Sequence, residues 1–543
     1  MDRRQFLVRA GAASAAIAGS AAVGALPFGA GTASATWDAV SRYKRLVPEI
    51  FAPLKSAPDF IDSVVIGSGF GGAISAYRLA KAGVDVAVLE RGSRWPNHPT
   101  REIFANDAFP DGRGFWRRTQ FTGVTGIPQS VDSFGGVLDA TDFDGISVWR
   151  GAAVGGGSVV YTGVSIEPEK RFFDRVFAGT GVDHAEMHNV FYPRARTNLA
   201  VSPMPDDIYN SQAFHHSRAW DDHVRRAGYT PQKIDGIWRW SVVRDELAGR
   251  SRASATASLS NLGNSNGAKY DLGQNYLKWA EATGRATVYP GHEVLDIGQD
   301  AGGRYTIHVN KVAPTGEVLS TRTISCNRLF LAAGSVGTTE LLLKAQATTM
   351  LKNLNEHVGH GWGTNGDAAI VRKFDFGGLT QGAPSRSRIL DERGMPVTLE
   401  NWYVPGLPAD LGLIGSLGMV LDDTRGSFYY DRASAKMKLR WPGQREANEA
   451  MRAVNNRIAA ATPFQSVGFA PFSPDVNTSF TAHPLGGAVI GKATDAYGRV
   501  VGHRGLYVMD GAAIPGSTGT VNPSLTIAAL AERNIEAIIS AAG

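Results

Sequence analysis

Cysteine is nearly missing from this chain: Cys326 is the only one in 543 residues. No intrachain disulfide and no cysteine-based metal or redox centre can be built from it. Its apolar neighbourhood, Ile324-Ser-Cys-Asn-Arg-Leu-Phe-Leu331, predicts a buried packing role. No metal site of any other kind is expected. Blocks of like charge are missing too. Charged residues make up 19% and the formal net charge is +5, part of it from Arg3, Arg4 and Arg9, so the basic footprint of a nucleic-acid binder is absent. After the first 35 residues no run of about 20 apolar residues occurs, which excludes a spanning helix there. Internal repeats and low-complexity linkers are absent as well, which excludes a repeat array.

What is present begins with an address. Asp2-Arg-Arg-Gln-Phe-Leu7 is a twin-arginine pattern, followed by a mildly apolar Ala/Gly stretch and the small-residue pattern Ala33-Ser34-Ala35. Residues 1–35 are therefore expected to be a signal peptide that exports an already folded protein; the competing reading is an uncleaved Ala-rich anchor. Roughly 508 residues then remain, too many for one core, and two interleaved domains are expected.

The most informative segment is Gly67-Ser-Gly-Phe-Gly-Gly72. Residues 61–66 before it read as a buried parallel strand, and a small-residue helix follows. Gly67, Gly69 and Gly72 supply the tight turn, the close backbone approach to a pyrophosphate and the helix-to-strand packing contact. The helix N-terminus would face the phosphates with free N–H groups. Glu90, closing the second strand, is placed to accept from ribose hydroxyls and would repel a 2′-phosphate. NAD and FAD both remain open at this point.

Farther along, residues 98–145 are rich in glycine and aromatics (Phe104, Phe109, Phe115, Trp116, Phe121, Phe134) and read as long loops over a cavity, with core packing the alternative for any single ring. Trp149-Arg-Gly-Ala-Ala-Val-Gly-Gly-Gly-Ser-Val-Val-Tyr-Thr-Gly163 is a second place where backbone must come close to something flat or charged. Near residue 270 the pattern changes to a helix end, a strand over 287–297, a meander over 304–324 and a strand over 328–332. That strand runs into a glycine turn at Gly334 and a helix over 338–345. The strand 505–510 ends in Asp510, and Asn522 with Pro523 reads as the N-cap and first residue of an apolar helix.

Six motifs then stand in one order: the Gly67 turn, Gly155-Gly-Gly-Ser158, Leu329-Phe-Leu-Ala-Ala-Gly-Ser-Val-Gly337, Val358-Gly-His-Gly-Trp-Gly-Thr-Asn-Gly366, His483-Pro-Leu-Gly-Gly487 and Thr520-Val-Asn-Pro523. In that order they resemble the glucose-methanol-choline oxidoreductases, and within them the exported actinobacterial cholesterol oxidases that hold FAD non-covalently. The resemblance implies an α/β (α+β) fold. Its FAD-binding domain would be Rossmann-like, from 36–97, 270–356 and 480–543, interleaved with a substrate domain from 98–269 and 357–479 built on a large, mostly antiparallel sheet with helices. The cofactor residues it implies are Gly67, Gly69, Phe70, Gly71, Gly72 and Glu90; Gly151, Gly155, Gly156, Gly157 and Ser158; and Val294, Gly334, Asp510, Gly511, Asn522 and Pro523.

The implied reaction is oxidation of a 3β-hydroxysteroid by FAD, with oxygen as acceptor and hydrogen peroxide as product. His483 precedes a proline in a glycine-bounded turn, and an unperturbed imidazole titrates near neutrality, suited to taking a hydroxyl proton. Glu400, in Pro396-Val-Thr-Leu-Glu-Asn-Trp-Tyr-Val-Pro405, resembles the buried base that moves a proton from C4 to C6 and shifts a Δ5 double bond to Δ4; the competing reading is a solvated loop charge. Asn522 is the residue the family places against flavin or substrate. Tyr161, Val164 and Thr398 depart from the pattern near the flavin and the access route, and Val160 stands where flavin-linked relatives carry histidine. The expected partners are a sterol and oxygen, with no nucleic acid, a transient touch of the aromatic loops on a membrane surface, and a monomeric state. The alternatives are a relative acting on another apolar alcohol or passing electrons to another acceptor, and a catalytically silent sterol-binding flavoprotein.

Overall fold

The computed structural model describes residues 37–122, 128–373, 380–406, 412–462 and 480–542. The signal segment expected at 1–35 lies outside them. After a helix over Trp37–Leu46 come β1 (Ser63–Ile66), α1 (Phe70–Lys81) and β2 (Val86–Leu89), and later an antiparallel pair, β3 (Leu138–Phe143) and β4 (Ile146–Gly151). Helices α2 (Tyr192–Asn198), α3 (His215–Arg226) and α4 (Tyr276–Ala282) lead to β5 (Ala286–Tyr289). Strands β6 (His292–Gln299), β7 (Tyr305–Val312) and β8 (Val318–Cys326) form an antiparallel meander, and β9 (Arg328–Leu331) runs into α5 (Gly334–Ala347). A second block holds β10 (Ala368–Lys373), β11 (Ser387–Asp391), β12 (Val397–Trp402), β13 (Leu413–Val420) and α6 (Arg445–Ala460). The chain then returns with β14 (Leu506–Val508) and α7 (Ser524–Ala542).

Two sheets position the site. The first is parallel, in the order β5-β2-β1-β9-β14, with Ser63 registered against both Val86 and Arg328. Its central strands are apolar on both faces because helices cover both, and every residue of β1 and β2 is buried. The second is antiparallel, in the order β10-β13-β12-β11 with the two-residue strand Gln232–Lys233 at its edge. The α/β fold expected from the strand-glycine-helix units is the one observed.

Helix α1 lies close to the sheet because its inner face lacks side chains. A Cβ on Gly71 would collide with the carbonyl of Met509, and one on Gly72 with that of Gly67. Its far side is tied to α7: Arg78 pairs with the fully buried Glu532 and, at 2.8 Å, with Glu536, while Tyr276 Oη donates to Glu532 at 2.7 Å.

Several local expectations are corrected. The strand expected over 287–297 is two strands, since Pro290 removes a donor and Gly291 takes a left-handed turn (φ 67°) that sends β5 into the parallel sheet and β6 into the meander. The helix expected from 338 already begins at Gly334. Phe104 and Phe134 are buried in one small core and Phe115 and Phe121 in another instead of roofing a cavity; Trp116 is buried as well, and of the six only Phe109 is exposed. Cys326 is fully buried, as its neighbours predict. No described helix is long and apolar enough to cross a membrane.

Candidate active site

A cavity of about 530 Å³ runs from the Gly67 turn to the antiparallel sheet. At its first end Glu90 is buried, and its carboxylate accepts from Ser68 N (3.1 Å), Ser68 Oγ (2.7 Å) and Gly92 N (2.9 Å). Burial pushes this carboxyl above its usual range, opposed by those hydrogen bonds and by Arg91. Oε1 keeps an open lone pair and the residue lines the cavity, as a ribose contact requires.

Glycines make the cradle. Gly69 and Gly156 lie back to back, with a Cβ on Gly156 only 2.7 Å from Gly69 Cα, and a Cβ on Gly151 would strike Gly156. At Gly157 and Gly334 the Cβ position meets nothing within 4 Å, so both leave bare backbone beside open space. The N–H groups of the first turn of α1 have no intrahelical partner. FAD fits this arrangement: a side-chain-free cradle beside a helix N-terminus, with a buried carboxylate one strand away.

Among the expected cofactor residues, Gly67, Gly69, Phe70, Gly71, Glu90, Gly151, Gly156, Gly157, Val294, Gly334, Asp510, Gly511, Asn522 and Pro523 line the cavity. Gly72, Gly155 and Ser158 do not. Gly72 is spent on packing against Gly67; Gly155 N donates to Ser68 Oγ at 3.0 Å; Ser158 Oγ donates to Gly155 O at 2.7 Å and accepts from Leu272 N at 3.0 Å. These three hold the two glycine turns together. Asp510 is likewise engaged, accepting from Gly334 N (2.8 Å), Thr338 Oγ1 (2.6 Å) and Ala512 N (2.8 Å), and burial raises its carboxyl to about 6.

At the other end the walls are apolar: Trp149 stacks on Phe480 with centroids 4.5 Å apart, and Trp402, Leu417 and Val164 complete the lining. His483 enters here, buried, with Nδ1 3.4 Å from Asp367 Oδ2. That distance is within reach of an ion pair, yet Nδ1 makes no hydrogen bond, and burial drives the imidazole down to about 4 and the Asp367 carboxyl up to about 7. Both groups are thus pushed toward their uncharged forms. Asp367 Oδ2 also accepts from Ala482 N at 2.9 Å, which fixes the backbone just before the histidine.

Glu400 sits on β12 in the middle of the second sheet, opposite Arg388 and Leu417, and is almost wholly buried. The loop position of the competing reading is therefore wrong. Burial lifts its carboxyl to about 8, opposed by Asn522 and Arg388. It does not line the cavity itself: Asn522, which does, donates from Nδ2 to Glu400 Oε2 at 3.4 Å, while Glu400 Oε1 and Asn522 Oδ1 have no partner. The expected capping role of Asn522 is corrected by the same contact. Helix α7 starts at Ser524, its first acceptor is Pro523 O (Ile527 N, 2.8 Å), and the asparagine side chain is turned away to Glu400.

Three residues escaped sequence reasoning. Asp367 backs His483. Asn365, in the left-handed region (φ 60°), donates to Val521 O at 2.7 Å and accepts from Thr518 N at 2.9 Å, holding the loop that carries Asn522. Lys269, buried and lowered by burial to about 7, donates to Tyr161 O at 2.6 Å and Ser260 O at 2.7 Å, steadying the Tyr161 segment of the cavity wall. Asn365 alone had a signal, since it falls inside the 358–366 glycine motif.

Residues 430–531, which include His483, Asp510 and Asn522, match the family model described as GMC oxidoreductase, and residues 65–96 match that of an NAD(P)-binding Rossmann-like domain. The sequence is 29% identical over 551 residues to a cholesterol oxidase of Mycobacterium tuberculosis, covering 88% of this chain and 90% of that protein. It is 26% identical over 544 residues to a cholesterol oxidase of Acinetobacter baumannii, covering 87% and 93%. The crystal structure of pyridoxine 4-oxidase from Mesorbium loti is similar at a TM-score of 0.61 and 16% identity, over 88% of this chain and 99% of that one, a likeness of fold.

Proposed function

The chain belongs to the GMC oxidoreductases, and from that premise we propose that it is a 3β-hydroxysteroid oxidase that also shifts the Δ5 double bond to Δ4. FAD-linked alcohol oxidation is the family's chemistry; the sterol and the oxygen acceptor are inferred from similarity to two cholesterol oxidases. The observation that carries the reading is the meeting of His483, Asn522 and, behind it, the buried Glu400 at the apolar end of the cavity.

FAD, held by the Gly67 turn, Glu90 and the loop at Gly156 and Gly157, would supply a hydride acceptor and reactivity toward oxygen. Proton handling and positioning fall to the chain. His483, uncharged above about pH 4, withdraws the hydroxyl proton at Nε2, the nitrogen not turned to Asp367. The unpartnered Asn522 Oδ1 is free to orient the substrate. Trp149, Phe480, Trp402 and Leu417 exclude water around an apolar ring system. Isomerisation needs a base that takes a proton at one carbon and returns it at another; Glu400, its carboxyl raised to about 8, is the candidate, and the Asn522 side chain that stands between it and the cavity has to swing aside for the transfer. With Val160 in the glycine loop, FAD is held non-covalently, so acid precipitation should release it. The twin-arginine pattern at Asp2 to Leu7 supports export of the folded holoprotein.

Anaerobic addition of cholesterol to the purified flavoprotein tests the reading. Flavin bleaching, peroxide on readmitting air and a Δ4-3-ketone product are expected. Bleaching without reoxidation by air would make it a dehydrogenase, and sterol binding without bleaching would make it a carrier.

A further inference from the structure

A second cluster of functional side chains lies outside the cavity. His184 and His188 are four residues apart where a short α-helical turn (His184–Glu186) passes into a π-helical one (Met187–Phe191). That spacing puts both imidazoles on one face, with rings 5.6 Å apart and 13° from parallel. The His184 ring is braced edge-on against Phe173 at 5.2 Å. Glu167 reaches in from the loop before, with Oε1 2.6 Å from His188 Nδ1. One ligand atom from each of the three falls within 4.8 Å of the other two.

We infer that Glu167, His184 and His188 form a Zn²⁺ site on the surface, separate from the oxidation chemistry. Two imidazole nitrogens and one carboxylate oxygen are the donor set of a zinc ion that keeps water in its fourth position. The donors come from two places in the fold, so they do not depend on one flexible segment. A proton now bridges His188 and Glu167; a divalent cation takes its place and releases it, as ligation by imidazole requires. His188 is 58% exposed and Glu167 24%, which leaves the ion a path from solvent. π-helical turns often mark sites where a side chain is re-aimed for function, and this turn sets the offset between the two histidines.

The ion would act as a staple. Glu167 follows Val164, which lines the cavity and whose carbonyl accepts from Ser524 Oγ at 3.0 Å at the start of α7. Joining Glu167 to the 184–191 helix therefore anchors one wall of the flavin cavity from outside without touching the reacting groups.

Titration calorimetry of the chelator-treated, FAD-loaded protein with zinc chloride tests this. One equivalent should bind, the melting temperature should rise, and magnesium chloride should give no saturable signal. His188→Gln and Glu167→Gln, both at solvent-reached positions, should each weaken Zn²⁺ binding at least about tenfold and abolish the melting shift, with zinc-free melting unchanged. Absence of saturable Zn²⁺ binding, or binding that both variants retain at full affinity, would overturn the site. Neither outcome bears on sterol turnover, which is measured separately.

Discussion

Glu400 and His483 are both forced toward neutrality by burial, and the two cases have opposite pH signs. The unfolded glutamate ionises above about 4.5, while the folded one keeps its proton to about 8. Between these values the fold retains a proton that the unfolded chain releases, so the site destabilises the protein as pH rises, by up to about 1.4 kcal/mol per pH unit. Glu400→Gln should therefore melt higher than wild type at pH 8 and lose most of that advantage at pH 5, as thermal unfolding at the two values would reveal. The same variant should still bleach flavin with sterol but accumulate the Δ5-3-ketone; wild-type rates of Δ4 product would refute the proton-shuttle role. His483→Gln should lower kcat about 10²- to 10⁴-fold with flavin absorbance intact. The candidacy of Glu400 and His483 was legible because each lies in a recognisable stretch. Asp367 was not: it stands one residue past the 358–366 glycine motif, whose glycines do not single it out, and only tertiary folding brings it to His483. Asn522 was misread locally because an asparagine before a proline satisfies the capping rule on sequence grounds, whereas a distant carboxyl competes for its amide.

At the level of elements, the glycine turns separate packing from binding. Gly71 has no room for a Cβ because Met509 O occupies that place, whereas Gly157 faces open space. Gly71→Ala should destabilise the protein by about 1–3 kcal/mol or more whether or not FAD is present, as overpacking does. Gly157→Ala should leave the apoprotein's melting temperature unchanged and weaken flavin retention, measured by fluorescence on dilution. Equal effects of the two variants on the apoprotein would contradict this division. The Gly67 turn could be read in the sequence since its logic is confined to consecutive residues. The break at Pro290 and Gly291 was legible too, since a Pro-Gly pair marks a turn, but a reading of 287–297 as one strand passes over it.

For the whole molecule, the last helix holds the first nucleotide-binding helix in place. Glu532 on α7 is fully buried among Arg78, Tyr276 and Asn198, with hydrogen bonds of 2.7 Å from Tyr276 and 3.4 Å from Asn198. Glu532→Ala leaves Arg78 with Glu536 alone and should cost about 3–5 kcal/mol in denaturant unfolding; a loss below about 1 kcal/mol would show the partners repair themselves. The alternation of strand and helix made the fold class legible, while the pairing of α1 with α7 was not, because it joins opposite ends of the chain.

That joining sets a timetable on the ribosome. The turn at Gly67 is made early, but Met509, Asn522 and the α7 segment that complete its surroundings emerge roughly 20 to 90 seconds later, at about 5–20 residues per second. Until then β9 waits with one edge open for β14. The nascent chain therefore has the Gly67 turn long before it has a closed pocket.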